Sequence, residues 1–337
     1  MTIARTVLEY TTGVLPAIAA VRGDLVAPTA LSRERFVGCL VGLAMGDALG
    51  APLEFLSREQ IADTWGEVRD LLGGGWLNVD PGEYTEDTQL AVALATGIAT
   101  IGRVDPIDIA RRFVSWLQGG PSDVGKLTRV ALRYHEQGLP WHDVGPRVSH
   151  ELAGRCAGNG SVMRCAPVGL FHALRPHELV RDSALISALT HADPQPVWAS
   201  IAVNLAIAEL LAGRSENLIP RVAAQIAEPR VRRALLEAPH LARKDVRSGG
   251  YVLETISAAF WALENHRGFE EVVVAAINLG DDADTVGAVA GALAGAREGI
   301  GAIPDHWLRQ LHHAEPLADL ARVLHRLAHQ AVVETGD

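Results

Sequence analysis

An all-α fold is predicted by three features of this 337-residue chain. Hydrophobic residues reach 48% while aromatics stay at 5%; helices favour Ala and Leu, whereas strands draw on aromatic and β-branched residues. Apolar residues recur at helical spacing along most of the sequence, and no run alternates as a half-buried strand would. Glycine also stands at every fourth position in two segments, which lines it up on one helix face. With 21% charged residues, the composition supports a sizeable core and excludes disorder as the main state.

The elements follow along the chain. Residues 1–30 read as an N-terminal helical extension that ends near Pro28. Residues 31–337 read as one compact domain, because no long Ser- or Pro-rich linker divides them, with 213–248 as a candidate small cap. The run Phe36–Met45 is apolar but too short to span a bilayer, and Arg33, Glu34, Arg35 and Asp47 flank it. Leu71–Tyr84, with Gly73-Gly74-Gly75 and Pro81-Gly82, reads as a loop. Asp105-Pro106 is an N-cap followed by proline at the first helical position, and Ile109, Phe113, Trp116 and Leu117 continue that helix. Val197–Leu211 is apolar nearly all round, the pattern of a central buried helix. Helical spacing returns at Val252, Ile256, Ala259, Phe260 and Leu263, and again at Leu317, Leu320, Leu324 and Leu327.

The glycine stripes are Gly38, Gly42, Gly46 and Gly50, then Gly287, Gly291, Gly295 and Gly299. Each glycine inside a helix costs about 1 kcal/mol relative to alanine, so the stripes imply very close packing against another helix. If the two helices pack antiparallel, the end of the first, with Asp47 and then Glu54, meets the start of the second, with Asp281, Asp282 and Asp284. The carboxylates then converge.

The net charge of −10, from 40 acidic and 30 basic residues, makes a duplex nucleic-acid partner unexpected, since phosphate binding needs a basic surface. Cys39, Cys156 and Cys165 form no CxxC pair, and the thirteen histidines form no HExxH. Neither a disulfide framework nor a zinc site is expected. No signal-peptide pattern and no sustained heptad stand out, so the expectation is a reduced, cytoplasmic monomer without membrane contact.

Four clusters bear on chemistry. Thr85-Glu86-Asp87-Thr88 sits at a helix start, and on its own first-turn capping accounts for it. Asp281-Asp282-Ala283-Asp284-Thr285 exceeds what capping requires. Like charges this close repel, and a hard cation held through oxygen atoms resolves that repulsion as well as a cap explains the sequence. Gly158-Asn159-Gly160-Ser161 is a glycine-rich turn whose N–H groups can hold phosphate oxygens, or an ordinary turn. Thr190-His191 precedes the buried helix. Ser161 with His191 lacks the GxSxG context of a serine hydrolase.

Taken in order, these segments resemble the ADP-ribosylglycohydrolase family. The resemblance is carried by Gly46-Asp47-Ala48-Leu49-Gly50-Ala51-Pro52-Leu53-Glu54-Phe55 and Thr85-Glu86-Asp87-Thr88-Gln89. It continues through Pro121-Ser122-Asp123-Val124-Gly125, Gly158–Arg164 and Thr190-His191. Gly280–Thr285, Gly291–Gly299 and Ile303-Pro304-Asp305-His306-Trp307 complete it, over about residues 33–310. The resemblance implies a compact all-α domain with two Mg²⁺ or Mn²⁺ ions in a cleft. It implies hydrolysis of the bond linking ADP-ribose to an acceptor, above all a protein arginine side chain, with ADP-ribose as product.

By position, it makes Thr85, Glu86, Asp87, Asp282, Asp284 and Thr285 metal ligands. Glu54 becomes a further ligand or base, and Asp123 faces the ribose or acceptor. Asn159, Gly160 and Ser161 cradle the diphosphate, and His191 lines the cleft. Glu86 departs from the family, which usually has Asp there, and its extra methylene shifts the carboxylate by about 1.5 Å. Asp281 stands where glycine is common. Glu86 motivates one alternative, a non-catalytic, crystallin-like ADP-ribose binder with a degenerate site; a further alternative is a hydrolase of a small-molecule ADP-ribose conjugate.

Overall fold

In the computed structural model, which describes residues 31–333, sixteen α-helices and no strands are found among the described residues. The extension predicted over 1–30 lies outside them. The helices are α1 (Arg33–Gly50), α2 (Arg58–Trp65), α3 (Glu86–Ile101), α4 (Pro106–Gln118), α5 (Lys126–Glu136) and α6 (Trp141–Glu151). Then come α7 (Ala166–Phe171), α8 (Pro176–Ala188), α9 (Pro194–Leu211), α10 (Leu218–Gln225) and α11 (Pro229–Glu237). The chain ends with α12 (Val252–Asn265), α13 (Phe269–Ile277), α14 (Ala283–Glu298), α15 (Asp305–Gln310) and α16 (Ala314–Val333).

At the centre, α1 and α14 run antiparallel with their backbones in contact. A Cβ added at Gly46 would lie 1.9 Å from the Gly287 carbonyl oxygen, and one at Gly295 would lie 1.9 Å from that of Gly38. Gly42 faces Gly291 in the same way, and Gly50 faces Ala283. Both helices are buried all round, α1 from Phe36 to Gly50 and α14 from Ala283 to Ala296, as apolar residues on every face require. Helix α1 runs well past the apolar segment Phe36–Met45, and with the turn to Leu53 it is long and apolar enough to cross a membrane. Its apolar window is wholly buried within the protein.

Helices α9, α12 and α13 pack on α14, and α16 covers α1 and α3. Helix α9 is buried from Pro196 through Ile207. Between α9 and α12, Leu218, Ile219, Val222, Val231 and Leu235 join the main core, so 213–248 shares that core. A separate apolar cluster, Leu127, Ala131, Val144, Val148, Leu152 and Cys156, holds the α5–α6 hairpin together.

The backbone contact gives a sharp expectation. Gly46→Ala should destabilise the protein by about 3 kcal/mol or more, since neither helix backbone can yield cheaply to the new methyl. In α3, a Cβ at Gly97 would meet only side-chain atoms of Arg112 and Asp108, at 3.2 Å. Gly97→Ala should therefore be near neutral, because helix propensity favours alanine. Urea unfolding of both variants checks this, and a Gly46→Ala midpoint equal to wild type would contradict the packing.

Candidate active site

Two helix starts and one helix end supply the carboxylates. Asp47, in the last turn of α1, is fully buried. Its Oδ1 accepts from the Thr85 N–H (3.0 Å) and hydroxyl (2.8 Å), and its Oδ2 accepts from the Thr88 N–H (3.0 Å) and hydroxyl (2.5 Å). Thr85 makes no side-chain cap of its own, so Asp47 caps α3 from a distant helix and fixes Thr85, Glu86 and Asp87. Burial pushes the Asp47 carboxyl up, and its four hydrogen bonds oppose that rise.

At the other pole, Asp282 is the N-cap position of α14, with Asp284 and Thr285 in its first turn. The approach is held by paired backbones. The Phe55 N–H donates to the Asp281 carbonyl and the Asp281 N–H to the Leu56 carbonyl, both at 2.7 Å. The Asp282 N–H donates to the Ser248 carbonyl at 2.9 Å. These contacts carry Glu54 to α14. Carboxylate oxygens of Glu54, Asp282 and Asp284 lie within 4.8 Å of one another.

A cavity of about 650 Å³ opens over this trio. Of the residues singled out in the sequence, Glu54, Glu86, Asp123, Asn159, Gly160, His191, Asp282, Asp284 and Thr285 line it. Asp87 lies behind, accepting from the Thr285 hydroxyl. Thr85 sits buried on Asp47, outside the lining. The Ser161 hydroxyl departs from its expected place. It accepts from the Ser187 hydroxyl at 2.8 Å and meets Ser200 at 3.4 Å, between α8 and α9, so its side chain is not available to a ligand. Asn159 is also engaged: its side-chain N–H groups donate to Asp282 Oδ2 (2.8 Å) and the Thr255 hydroxyl (3.0 Å), so it orients an acid of the trio.

Glu86 shows what its longer arm does. It shares a hydrogen bond with Asp123, and burial, Asp87 and that bond push its carboxyl up to about 11. Its Oε2 and Asp87 Oδ2 are buried with no partner. Unpaired buried carboxylate oxygens facing other acids are costly unless protonated or matched by a cation. The donor set is all oxygen, as Mg²⁺ and Mn²⁺ prefer. The residues therefore fit a divalent cation beside Glu54, Asp282 and Asp284. Glu86 and Asp87 lie outside that closest trio.

Sequence reasoning gave no role to Arg164. It is fully buried, stacks 4.6 Å from the Phe113 ring, and donates to the Gly160 carbonyl and Thr190 hydroxyl, both at 2.6 Å. Burial pushes it down to about 9, and Asp87 opposes that shift. Thr190 in turn meets His191 Nδ1 at 2.7 Å. Burial, then Arg164, holds His191 well below its usual range, so its imidazole stands neutral in the wall. Lys126, Arg155, Thr128 and Phe55 also line the cavity. A second cleft of about 600 Å³ lies at the C-terminal end of α9. Of its two carboxylates, Glu209 and Glu216, the first is already paired with Arg214 and Arg221.

The acidic cluster opposes folding at neutral pH. Burial raises Glu54 to about 7 and Glu86 to about 11, and raises Asp87 and Asp284 as well. Without a cation, the folded protein holds protons that the unfolded chain releases near pH 4. This contribution is full below about pH 4 and is lost as pH rises through the folded values. In EDTA, the Tm is expected to fall between about pH 5 and 8, and Mn²⁺ should cancel the fall. Asp284→Asn should raise the Tm in EDTA by about 3 °C and abolish the Mn²⁺ response. A cation response unchanged in this variant would contradict the site.

The family model described as ADP-ribosylglycohydrolase matches residues 28–333. An ADP-ribosylarginine hydrolase of Serratia proteamaculans is 33% identical over 312 residues, covering 89% of this chain and 81% of that protein. An ADP-ribosyl-[dinitrogen reductase] glycohydrolase of Rhodospirillum rubrum is 32% identical over 279 residues, covering 82% and 90%. A solved structure described as an ADP-ribosylglycohydrolase-related protein complex superposes with a TM-score of 0.76 at 36% identity, covering 88% of this chain and 98% of that one. From its paired glycine helices to the acids that their ends bring together, the chain belongs to the ADP-ribosylglycohydrolase family.

Proposed function

We propose that this protein hydrolyses the glycosidic bond between ADP-ribose and an arginine side chain of a modified protein, with two Mg²⁺ or Mn²⁺ ions. The observation that carries the reading is the convergence of Glu54, Asp282 and Asp284 within 4.8 Å, beside the unpartnered oxygens of Glu86 and Asp87. The activities named for the Serratia and Rhodospirillum relatives support it. Asp282 and Asp284, with Glu86, Asp87 and Thr285, would hold the ions beside Glu54, while Thr85 holds Asp47 in place. When bound, such ions orient ribose hydroxyls and acidify water.

The chain's own groups divide the remaining work. Glu54, raised to about 7 chiefly by burial, suits a general base that takes the proton of the attacking water. Water oxygen bonds to the anomeric carbon as the bond to the acceptor nitrogen breaks, and the surrounding carboxylates face the positive charge that develops there. The acceptor leaves as a neutral guanidine and takes up the proton that Glu54 removed from the water, while Asp123, on the same cavity wall, faces the ribose or the acceptor. The first turn of α5, Lys126, Arg155 and the backbone of Gly158–Gly160 receive the diphosphate.

The test is ADP-ribose release from an arginine-ADP-ribosylated protein in Mg²⁺, Mn²⁺ or EDTA. Release is expected with metal and absent in EDTA. Asp282→Ala and Asp284→Ala should each lower it at least about a hundredfold with the helical circular dichroism retained. A second reading draws on Glu86, whose bond to Asp123 diverts one site carboxylate: ADP-ribose binding without turnover. Metal-dependent ADP-ribose binding with no release from any linkage would favour it. Release confined to small conjugates would point to a small-molecule substrate instead.

A further inference from the structure

Phe55 and Trp76 are exposed at 67% and 49%, with ring centroids 5.3 Å apart and planes at 50°. Phe55 lines the acidic cavity, and Trp76 flanks it from outside the lining. Several constraints hold them there. Phe55 has φ of 64°, a left-handed backbone that a bulky side chain rarely adopts, and its N–H is bound to Asp281. Gly75, just before Trp76, has φ of 68°, and a Cβ there would lie 2.7 Å from Pro52 Cα, so the glycine turn rests directly on the segment leading to Glu54. The Trp76 indole N–H donates to Glu54 Oε2 at 2.5 Å. Two large rings are thus kept in water beside Glu54, at backbone cost, where burial would have been favourable.

Phe55 shares the cavity with Glu54, Glu86, Asp123 and Asp282, and Trp76 is tied to it through Glu54. Exposed aromatic faces beside carboxylates favour a planar delocalised cation over a neutral or anionic group. We infer that Phe55 and Trp76 form the platform that receives the guanidinium of the arginine acceptor, so that they determine linkage specificity. This rests on the hydrolase reading above and adds the residues that read the acceptor. A serine-linked substrate carries no such cation and gains nothing from the rings.

The test is steady-state kinetics of the full chain on arginine-linked and serine-linked ADP-ribosyl peptides, alongside calorimetric binding of free ADP-ribose. Phe55→Ala should raise KM for the arginine-linked peptide about three- to thirtyfold, with a smaller change in kcat. It should leave the Kd for ADP-ribose within about twofold, as the acceptor is absent from that ligand. Phe55→Tyr should restore KM. Any turnover of the serine-linked peptide should be insensitive to either change. An unaltered KM in Phe55→Ala overturns the inference, as do equal losses on both linkages. An equal loss of ADP-ribose affinity assigns the rings to adenine or ribose instead and also overturns it. Absence of arginine-linked release by the unsubstituted protein overturns the hydrolase reading together with the inference, a result distinct from release that ignores Phe55.

Discussion

With glycine at 38, 42 and 46 of α1 and at 287, 291 and 295 of α14, the two helices meet carbonyl against backbone. That approach sets the axial register of the pair, because Gly38, Gly42 and Gly46 each meet the carbonyl of a glycine on α14, at 295, 291 and 287. Register in turn decides that Asp47 and Glu54, at the end of one helix, arrive beside Asp282 and Asp284, at the start of the other. Ordinary side-chain packing would separate the axes by 8–10 Å and leave room for sliding. Glycine gives up helix propensity to remove that freedom, and the all-round burial of both helices offsets the loss.

The placement of acids works against stability, and the surrounding polar groups limit the damage. Asp47 is satisfied by four donors from Thr85 and Thr88, and Asp282 by Asn159. Arg164, fully buried, feels Asp87 as a charge that opposes the effect of burial, yet its hydrogen bonds go to Gly160 and Thr190. It therefore shapes the glycine turn and the His191 wall more directly than it neutralises the carboxylates. Among buried carboxylate oxygens of the described residues, those left without a partner belong to Glu86 and Asp87. Two such neighbours beside a cavity are characteristic of a functional site.

Much of this was legible in the sequence, and the reasons differ by residue. Two glycine stripes and a dense aspartate cluster are departures from ordinary helix composition, so they stand out without a structure. Helix α9 was legible because its apolar pattern has no polar face. Asp47 was visible as an acid near the end of α1, but its capping of α3 was not, because a cap supplied from 38 residues away has no local pattern. Arg164 looked like one more charged residue; its burial depends on Phe113, Gly160 and Thr190, from separate parts of the chain. The partners of the Ser161 hydroxyl were not legible, because α8 and α9 supply them from separate parts of the chain. Phe55 stood only as the last residue of the segment Gly46–Phe55, and its left-handed backbone leaves no pattern in the sequence.

The charge of the cavity constrains the order of events in the proposed reaction. Five carboxyl groups line it, Glu54, Glu86, Asp123, Asp282 and Asp284, against two cations, Lys126 and Arg155. An ADP-ribose diphosphate entering such a cavity meets net repulsion unless the carboxylates are first neutralised, and protons or divalent cations are the two means. Protons neutralise at the expense of Glu54, which must be free to accept one. Divalent cations neutralise while leaving a base available, so they suit admission of the anionic ligand as well as catalysis. The diphosphate can then settle on N–H groups and the two basic side chains, while the arginine end lies toward the exposed rings of Phe55 and Trp76, whose faces attract a cation without needing a free carboxylate.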